Sequence, residues 1–166
     1  INLTTKVTLA SPKVCQITPS QGGDCSDSTN GVGVTIPPSA LGTGTTAATV
    51  TVKQTNTRQQ TAGTKPVGNG FEFIATDSSG NSISTFNSSV TLEFTQTAAA
   101  LSATGITTKT KADAVKITLW AETIKDYEVL ATTVDYLDSN NALVSAPSED
   151  LSNVTNIRFK ALTTHF

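Results

Sequence analysis

Phe71-Glu72-Phe73-Ile74-Ala75-Thr76-Asp77-Ser78-Ser79-Gly80-Asn81-Ser82-Ile83-Ser84-Thr85-Phe86 is the stretch whose reading decides the fold. Phe71, Phe73 and Ala75 alternate with Glu72, Ile74 and Thr76, the period of a strand with one buried face. Asp77 to Asn81 is a dense turn signal, and Ile83 and Phe86 follow it, so the stretch reads as a β-hairpin. The same period continues upstream. Val50 and Val52 alternate with Thr49, Thr51 and Lys53, and Val32, Val34 and Ile36 alternate until Pro37-Pro38 stops them. Val14 and Ile17 mark an earlier strand, and Leu3, Val7 and Leu9 a first one. Downstream come Val90, Leu92 and Phe94, then Val115, Ile117 and Leu119 leading to Trp120. Tyr127, Val129, Val134 and Tyr136 span one or two strands, and Leu143, Val154, Ile157, Phe159, Ala161 and Leu162 complete the set.

About ten short strands separated by turn chemistry predict an all-β fold, an antiparallel β-sandwich. Thr97 to Gly105 breaks the pattern with Ala98-Ala99-Ala100-Leu101, which reads as a short helical turn or loop crossing between sheets. Residues 1–12 read as an N-terminal strand or arm set off by Ser11-Pro12. Residues 13–166 read as a single sandwich domain with a Cys15–Cys25 loop near its start.

Composition narrows the functional classes. The net charge of −2 is spread along the chain without a basic stripe, which argues against a nucleic-acid partner. No apolar run approaches the roughly 20 residues of a membrane-spanning helix. Only 14% of residues are charged, and Thr, Ser, Gly and Asn dominate the polar set, as in β-rich extracellular proteins. Cys15 and Cys25, the only cysteines, flank a polar Gly-Gly-Asp loop. In an oxidising compartment they pair and staple it. Two free thiols are the alternative reading.

Other constellations are thin. Asp24, Asp27 and Asn30, or Asp135, Asp138 and Asn140, resemble partial calcium loops, but solvated turns account for them better. The cysteine spacing does not suit zinc, so no metal or cofactor is expected. Lys53, Lys116 and Lys160 are candidates for an internal isopeptide bond with no marked Asn partner. Asn2-Leu3-Thr4, Asn87-Ser88-Ser89 and Asn153-Val154-Thr155 match the glycosylation triplet, a match that arises easily in a chain this rich in Ser, Thr and Asn. Trp120, Tyr127 and Tyr136 are candidates for a sugar-binding patch: Trp120 exposed beside Tyr127 favours that reading, and Trp120 buried favours a scaffold.

Two stretches and the terminus carry a family resemblance. Val34-Thr35-Ile36-Pro37-Pro38-Ser39-Ala40-Leu41 resembles the strand of ZU-five β-sandwich domains that ends in Ile-Pro, with Ser39 where Gly is usual. Val115 to Trp120, Tyr127-Glu128-Val129-Leu130 and Thr133-Val134-Asp135 resemble the downstream half of such domains, more closely those of bacterial surface proteins. The last strand ends in His165-Phe166, where self-cleaving members continue with Ser and a short apolar strand. The resemblance covers the region from Gly31 onward and leaves out both cysteines.

That resemblance implies a chemistry. The hydroxyl of the next residue attacks the Phe166 carbonyl carbon while His165, the only histidine, takes its proton. The amide becomes an ester, and water then hydrolyses it. A general base must be neutral to take that proton, and an imidazole is the side chain most often used for this. Phe166 supplies the acyl group, and its ring is expected in the core. A chain that starts without Met and stops at His-Phe is then expected to be a processed product. The alternative is an ordinary strand end with a surface His.

The resulting expectation is a secreted bacterial cell-surface protein with a structural or interaction role, not an enzyme beyond a single self-cleavage. Its partners would be the downstream cleaved peptide and other copies of itself. The arm residues Leu3, Val7 and Leu9 are candidate strand donors in a homo-oligomer or extracellular filament. Two rival readings are a carbohydrate- or ligand-binding module and a signalling module whose cleavage releases a downstream segment.

Overall fold

The computed structural model describes residues 9–44, 46–55, 65–121 and 125–166. Among them are ten strands: β1 (Lys13–Ile17), β2 (Gly23–Asp27), β3 (Val32–Ile36), β4 (Ala48–Thr55), β5 (Gly70–Thr76), β6 (Thr85–Thr97), β7 (Thr118–Ala121), β8 (Asp126–Val129), β9 (Thr132–Leu137) and β10 (Asn156–His165). Two short helices, α1 (Ala98–Ala103) and α2 (Lys109–Asp113), lie between β6 and β7. Every strand pair is antiparallel. A three-stranded sheet runs β1-β4-β5, a five-stranded sheet runs β2-β3-β6-β10-β9, and β7-β8 is a separate two-stranded hairpin. The chain is an all-β sandwich, as its period-two patterning predicts.

Alternation builds the core. On β4, Ala48, Val50 and Val52 are buried while Thr49 and Thr51 are half-exposed. On β10, Ile157, Phe159, Ala161 and Thr163 are buried, and Arg158, Lys160, Leu162 and Thr164 face outward. Val50 and Val52 of one sheet share one apolar cluster with Val34, Ile36, Val90, Leu92, Ile157 and Phe159 of the other. Each such side chain, fully buried, stabilises the fold by about 1.5–3 kcal/mol before conformational entropy is counted.

Several local expectations are corrected. The Asp77 turn forms: its carboxylate accepts the N–H groups of Ser79 and Asn81, each at 2.8 Å. The ladder it starts is short, with a Thr76–Ser82 bridge and Ile83 N–H donating to Ala75 O. The chain then leaves for the other sheet, so β5 and β6 are not a hairpin. Ile83 and Phe86 stand three residues apart, an odd spacing that one flat strand cannot keep on one face. Val115 and Ile117 lie before β7 and outside any ladder, and the Ile117 N–H donates to the Thr132 hydroxyl at 2.9 Å. Leu143 makes only an isolated bridge to Leu137, Val154 precedes β10, and Leu162 is 62% exposed on the outer face. The Ala98–Leu101 turn is helix α1, capped by Thr97, whose hydroxyl accepts the Ala100 N–H. Helix α2, capped in the same way by Thr108, carries no apolar period in its five residues.

Candidate functional site

The site is built where β10 ends. Its pairing with β6 is regular up to Thr163 opposite Val90, and the next matched pair is His165 opposite Thr85. Two steps along β10 therefore meet five along β6, and β6 bulges between Thr85 and Val90. The buried Thr163 hydroxyl spans the irregularity. It donates to His165 O at 2.9 Å and accepts from His165 N–H at 3.3 Å. The backbone around His165 is thus fixed by a side chain as well as by the ladder.

Phe166 is held at two points. Its N–H donates to Ser84 O at 3.2 Å. Its ring sits 4.6 Å from Phe86, edge to face, and 5.5 Å from Phe73. The ring is partly buried and packs against the core. The His165 ring, one-third exposed, places Nε2 3.5 Å from Glu128 Oε1. Glu128 reaches it from β8, whose hairpin is tied back by Leu130 N–H donating to Ile117 O and by Leu119 packing on the core. An imidazole beside a carboxylate, on the residue before a Phe whose N–H and ring are both held, has the chemistry of a positioned base.

Cys15 and Cys25 form a disulfide, and Cys25 is fully buried. They do not flank a plain loop. Cys25 lies at the middle of β2, so the bond ties β1 of the three-stranded sheet to β2 of the five-stranded one. The intervening turn is closed by Thr18 O, which accepts the N–H groups of Gln21 and Gly22.

The remaining candidates fall apart as sites. Asp27 accepts from Thr29 N–H, Asn30 N–H and Asn30 Nδ2, and Asp138 accepts from Asn140 and Ala142 N–H. These are turn-closing carboxylates, and no cluster of three or more His, Cys, Asp or Glu suited to a metal occurs among the described residues. Lys53 pairs with Glu72, Lys116 reaches Asp113 O, and Lys160 pairs with Asp135. Burial by itself raises the Asp135 carboxyl, but hydrogen bonds and charge from Lys160 and Arg158 outweigh it and hold the pKa below the usual range. Asn153 spends its amide on Ala146 O, and its Oδ1 accepts from Ser148. The side-chain amide of Asn87 donates to Ser39 O, and Asn2 lies outside the described residues.

Trp120 is 38% exposed and meets Tyr127, its cross-strand partner, edge to face at 5.3 Å. Tyr136 is buried, and its hydroxyl donates to Asp113 at 2.6 Å, so it belongs to the core and not to a patch with the other two. Of the candidate strand donors, Leu3 and Val7 lie outside the described residues. Leu9 is half-buried outside any strand, and Ala10 N–H donates to Gln54 Oε1 at 3.3 Å.

Sequence reasoning did not find Glu128, Thr163 or Ser84. Glu128 is brought to His165 only by the hairpin fold, and no spacing rule links them. Thr163 carried a faint signal, a polar residue on the buried parity of β10. No protein-family model matches the chain, and neither does any curated protein or solved structure.

Proposed function

We propose that this protein is a secreted cell-surface β-sandwich with a structural or interaction role, of ZU-five-like type, matured by self-cleavage after Phe166. The observation that carries the reading is the arrangement at the end of β10. The Phe166 ring lies against Phe73 and Phe86, its N–H is tied to Ser84, and the only histidine stands beside a carboxylate. A hydroxyl on the following residue would attack the Phe166 carbonyl carbon as His165 takes its proton. The imidazolium returns that proton to the departing amine as the C–N bond breaks, leaving an ester that water opens. The inter-sheet disulfide supports an oxidising, extracellular setting, and no helix among the described residues is long and apolar enough to cross a membrane. Strand exchange between copies would give the structural role its physical form, a filament.

The test is expression of the coding sequence past Phe166, with the next encoded residue kept and then changed to Ala, followed by intact-mass measurement. Cleavage of the first and not the second is expected. A next residue other than Ser, Thr or Cys, or two uncut products, removes the self-cleavage reading.

One observation favours a second reading, a carbohydrate-binding module: Trp120 is exposed beside Tyr127. The planes of the two rings are inclined at 70°, so they offer no common flat face, and only one could stack on a sugar ring at a time. Glycan binding lost in Trp120→Ala would establish this reading over the first.

A further inference from the structure

Thr163 breaks the pattern of its strand. β10 turns Ile157, Phe159 and Ala161 to the core, and Thr163 takes the next inward position at 5% exposed. Among the described residues no other Ser, Thr, Asn, Gln or charged side chain is buried. A valine would fill the same space without a hydroxyl to desolvate. The hydroxyl is used within its own strand: it donates to His165 O at 2.9 Å and accepts from His165 N–H at 3.3 Å. Both partners are backbone groups of the residue before Phe166.

The peptide group between His165 and Phe166 is thereby held at both poles. Its carbonyl accepts from the Thr163 hydroxyl, and its N–H, that of Phe166, donates to Ser84 O at 3.2 Å. Thr163 belongs to β10 of the five-stranded sheet. The Ser84 segment is fastened through Ile83 N–H to Ala75 O, on β5 of the three-stranded one, at 2.8 Å. A peptide group is planar, so holding both poles also holds the Cα of Phe166. The Phe166 ring, 4.6 Å from Phe86 and 5.5 Å from Phe73, restrains its Cβ. With N, Cα and Cβ located, the chirality of the residue places its carbonyl carbon. Only ψ, the direction of the carbonyl oxygen, is left to the residue that follows.

We propose that Thr163 is a positioning residue for cleavage after Phe166: its hydroxyl locks the peptide plane that sets where the attacked carbonyl carbon stands. This rests on the self-cleavage reading above and assigns one of its parts. Thr163 moves no proton in the reaction. It acts on the geometry, holding the carbonyl carbon where a hydroxyl on the next residue can reach it. Without the Thr163 hydroxyl, the His165 carbonyl loses its partner and the plane can turn about the bonds on either side of it. A misplacement of about 1 Å at a reacting centre costs on the order of 10²-fold in rate. Ser84 and the aromatic contacts still hold the far pole, so Thr163→Val should slow cleavage by about 10–10²-fold. Thr163→Ser keeps the hydroxyl and should cleave within about 3-fold of the native rate.

The experiment follows cleavage against time by intact mass, in the coding sequence extended past Phe166 and made by cell-free translation. Native chain, Thr163→Val, Thr163→Ser and Val50→Ala are compared, and each is also melted. Val50 is fully buried on the other sheet, so Val50→Ala lowers stability without touching the clamp. A slow Thr163→Val, with Thr163→Ser and Val50→Ala near the native rate, is the expected result. Native-rate cleavage by Thr163→Val overturns the proposal and leaves the self-cleavage reading standing. Slowing of Val50→Ala by as much as Thr163→Val also overturns it, because the loss then follows stability. A native chain that stays whole removes the self-cleavage reading, and the role of Thr163 with it. Amide hydrogen exchange on the 166-residue chain needs no variant: the Phe166 N–H should be protected, and exchange at the rate of a free amide would show that the clamp is open.

Discussion

His165 Nε2 lies 3.5 Å from Glu128 Oε1, although the two residues come from different sheets. The contact brings β8 to the end of β10 and engages Nε2 of the ring, not Nδ1. If His165 is the base, Glu128 fixes the ring and steadies the positive charge that forms on it. In a chain expressed past Phe166, His165→Ala should slow cleavage by about 10²-fold or more, and Glu128→Gln by a smaller factor of about 3–10. The melting temperature should hardly move, because the pair is one-third exposed. Equal cleavage rates for Glu128→Gln and the native protein would separate Glu128 from the reaction.

The disulfide closes a short loop but joins two sheets. Replacing both Cys15 and Cys25 with Ala should lower unfolding stability by about 2–3 kcal/mol through the lost loop constraint. The void left at the fully buried Cys25 adds to that cost. Urea titration of the native and double-Ala proteins measures the difference. Coincident midpoints would mean that the bond restrains nothing that folding does not already fix.

Most of the fold was legible because it is carried by alternation of large apolar residues. β3, β4, β6 and β10 show it plainly, and all four are central strands of their sheets. β2 was not legible. Cys25 is its one fully buried residue, and a single apolar position has no period. The β5–β6 misreading has a different cause: the turn at Asp77 is real, but turn chemistry says nothing about which sheet the second strand joins. The site divides in the same way. His165 and Phe166 are neighbours in the chain and could be read together, whereas Glu128, Ser84 and Phe73 are assembled by tertiary contacts alone.

Acid should weaken the outer face of β10. Asp135 accepts from Arg158 Nε and Nη2 at 3.1 and 2.7 Å and pairs with Lys160 at 2.8 Å. Burial opposes its charge, but these partners prevail and its pKa is lowered in the fold. A carboxyl with a depressed folded pKa contributes stability above its unfolded pKa, near about 3.9, and loses it as pH falls through the lower folded value. Asp135→Asn should therefore cost about 1 kcal/mol at pH 7, and the gap to native should close below about pH 3. Melting curves across that range decide it, and a gap that persists in acid would assign the loss to shape and not to charge.

The last prediction concerns two residues with the same backbone and opposite side-chain logic. Ser39 follows Pro37-Pro38 at φ +64°, and Gly31 lies in the β2–β3 turn at φ +62°. Both are in the left-handed region, which costs a residue with a Cβ about 1–2 kcal/mol. At Ser39 the position is fixed from outside, because its N–H donates to Pro19 O at 2.7 Å and Asn87 donates to its carbonyl. Ser39→Gly relieves the strain but gives the unfolded chain more freedom, which takes back roughly 0.5–1 kcal/mol. The net effect should be a gain of about 0–1 kcal/mol. Gly31→Ala should go the other way and strongly, since a Cβ there would lie 2.1 Å from the backbone oxygen of Thr95, whose N–H already bonds Gly31 O. Destabilisation of more than about 2 kcal/mol is expected, with the loss of register between β3 and β6 as its cause. Thermal unfolding of both variants checks the pair. A Ser39→Gly protein clearly less stable than native would show that the serine side chain makes a contribution larger than the strain it carries.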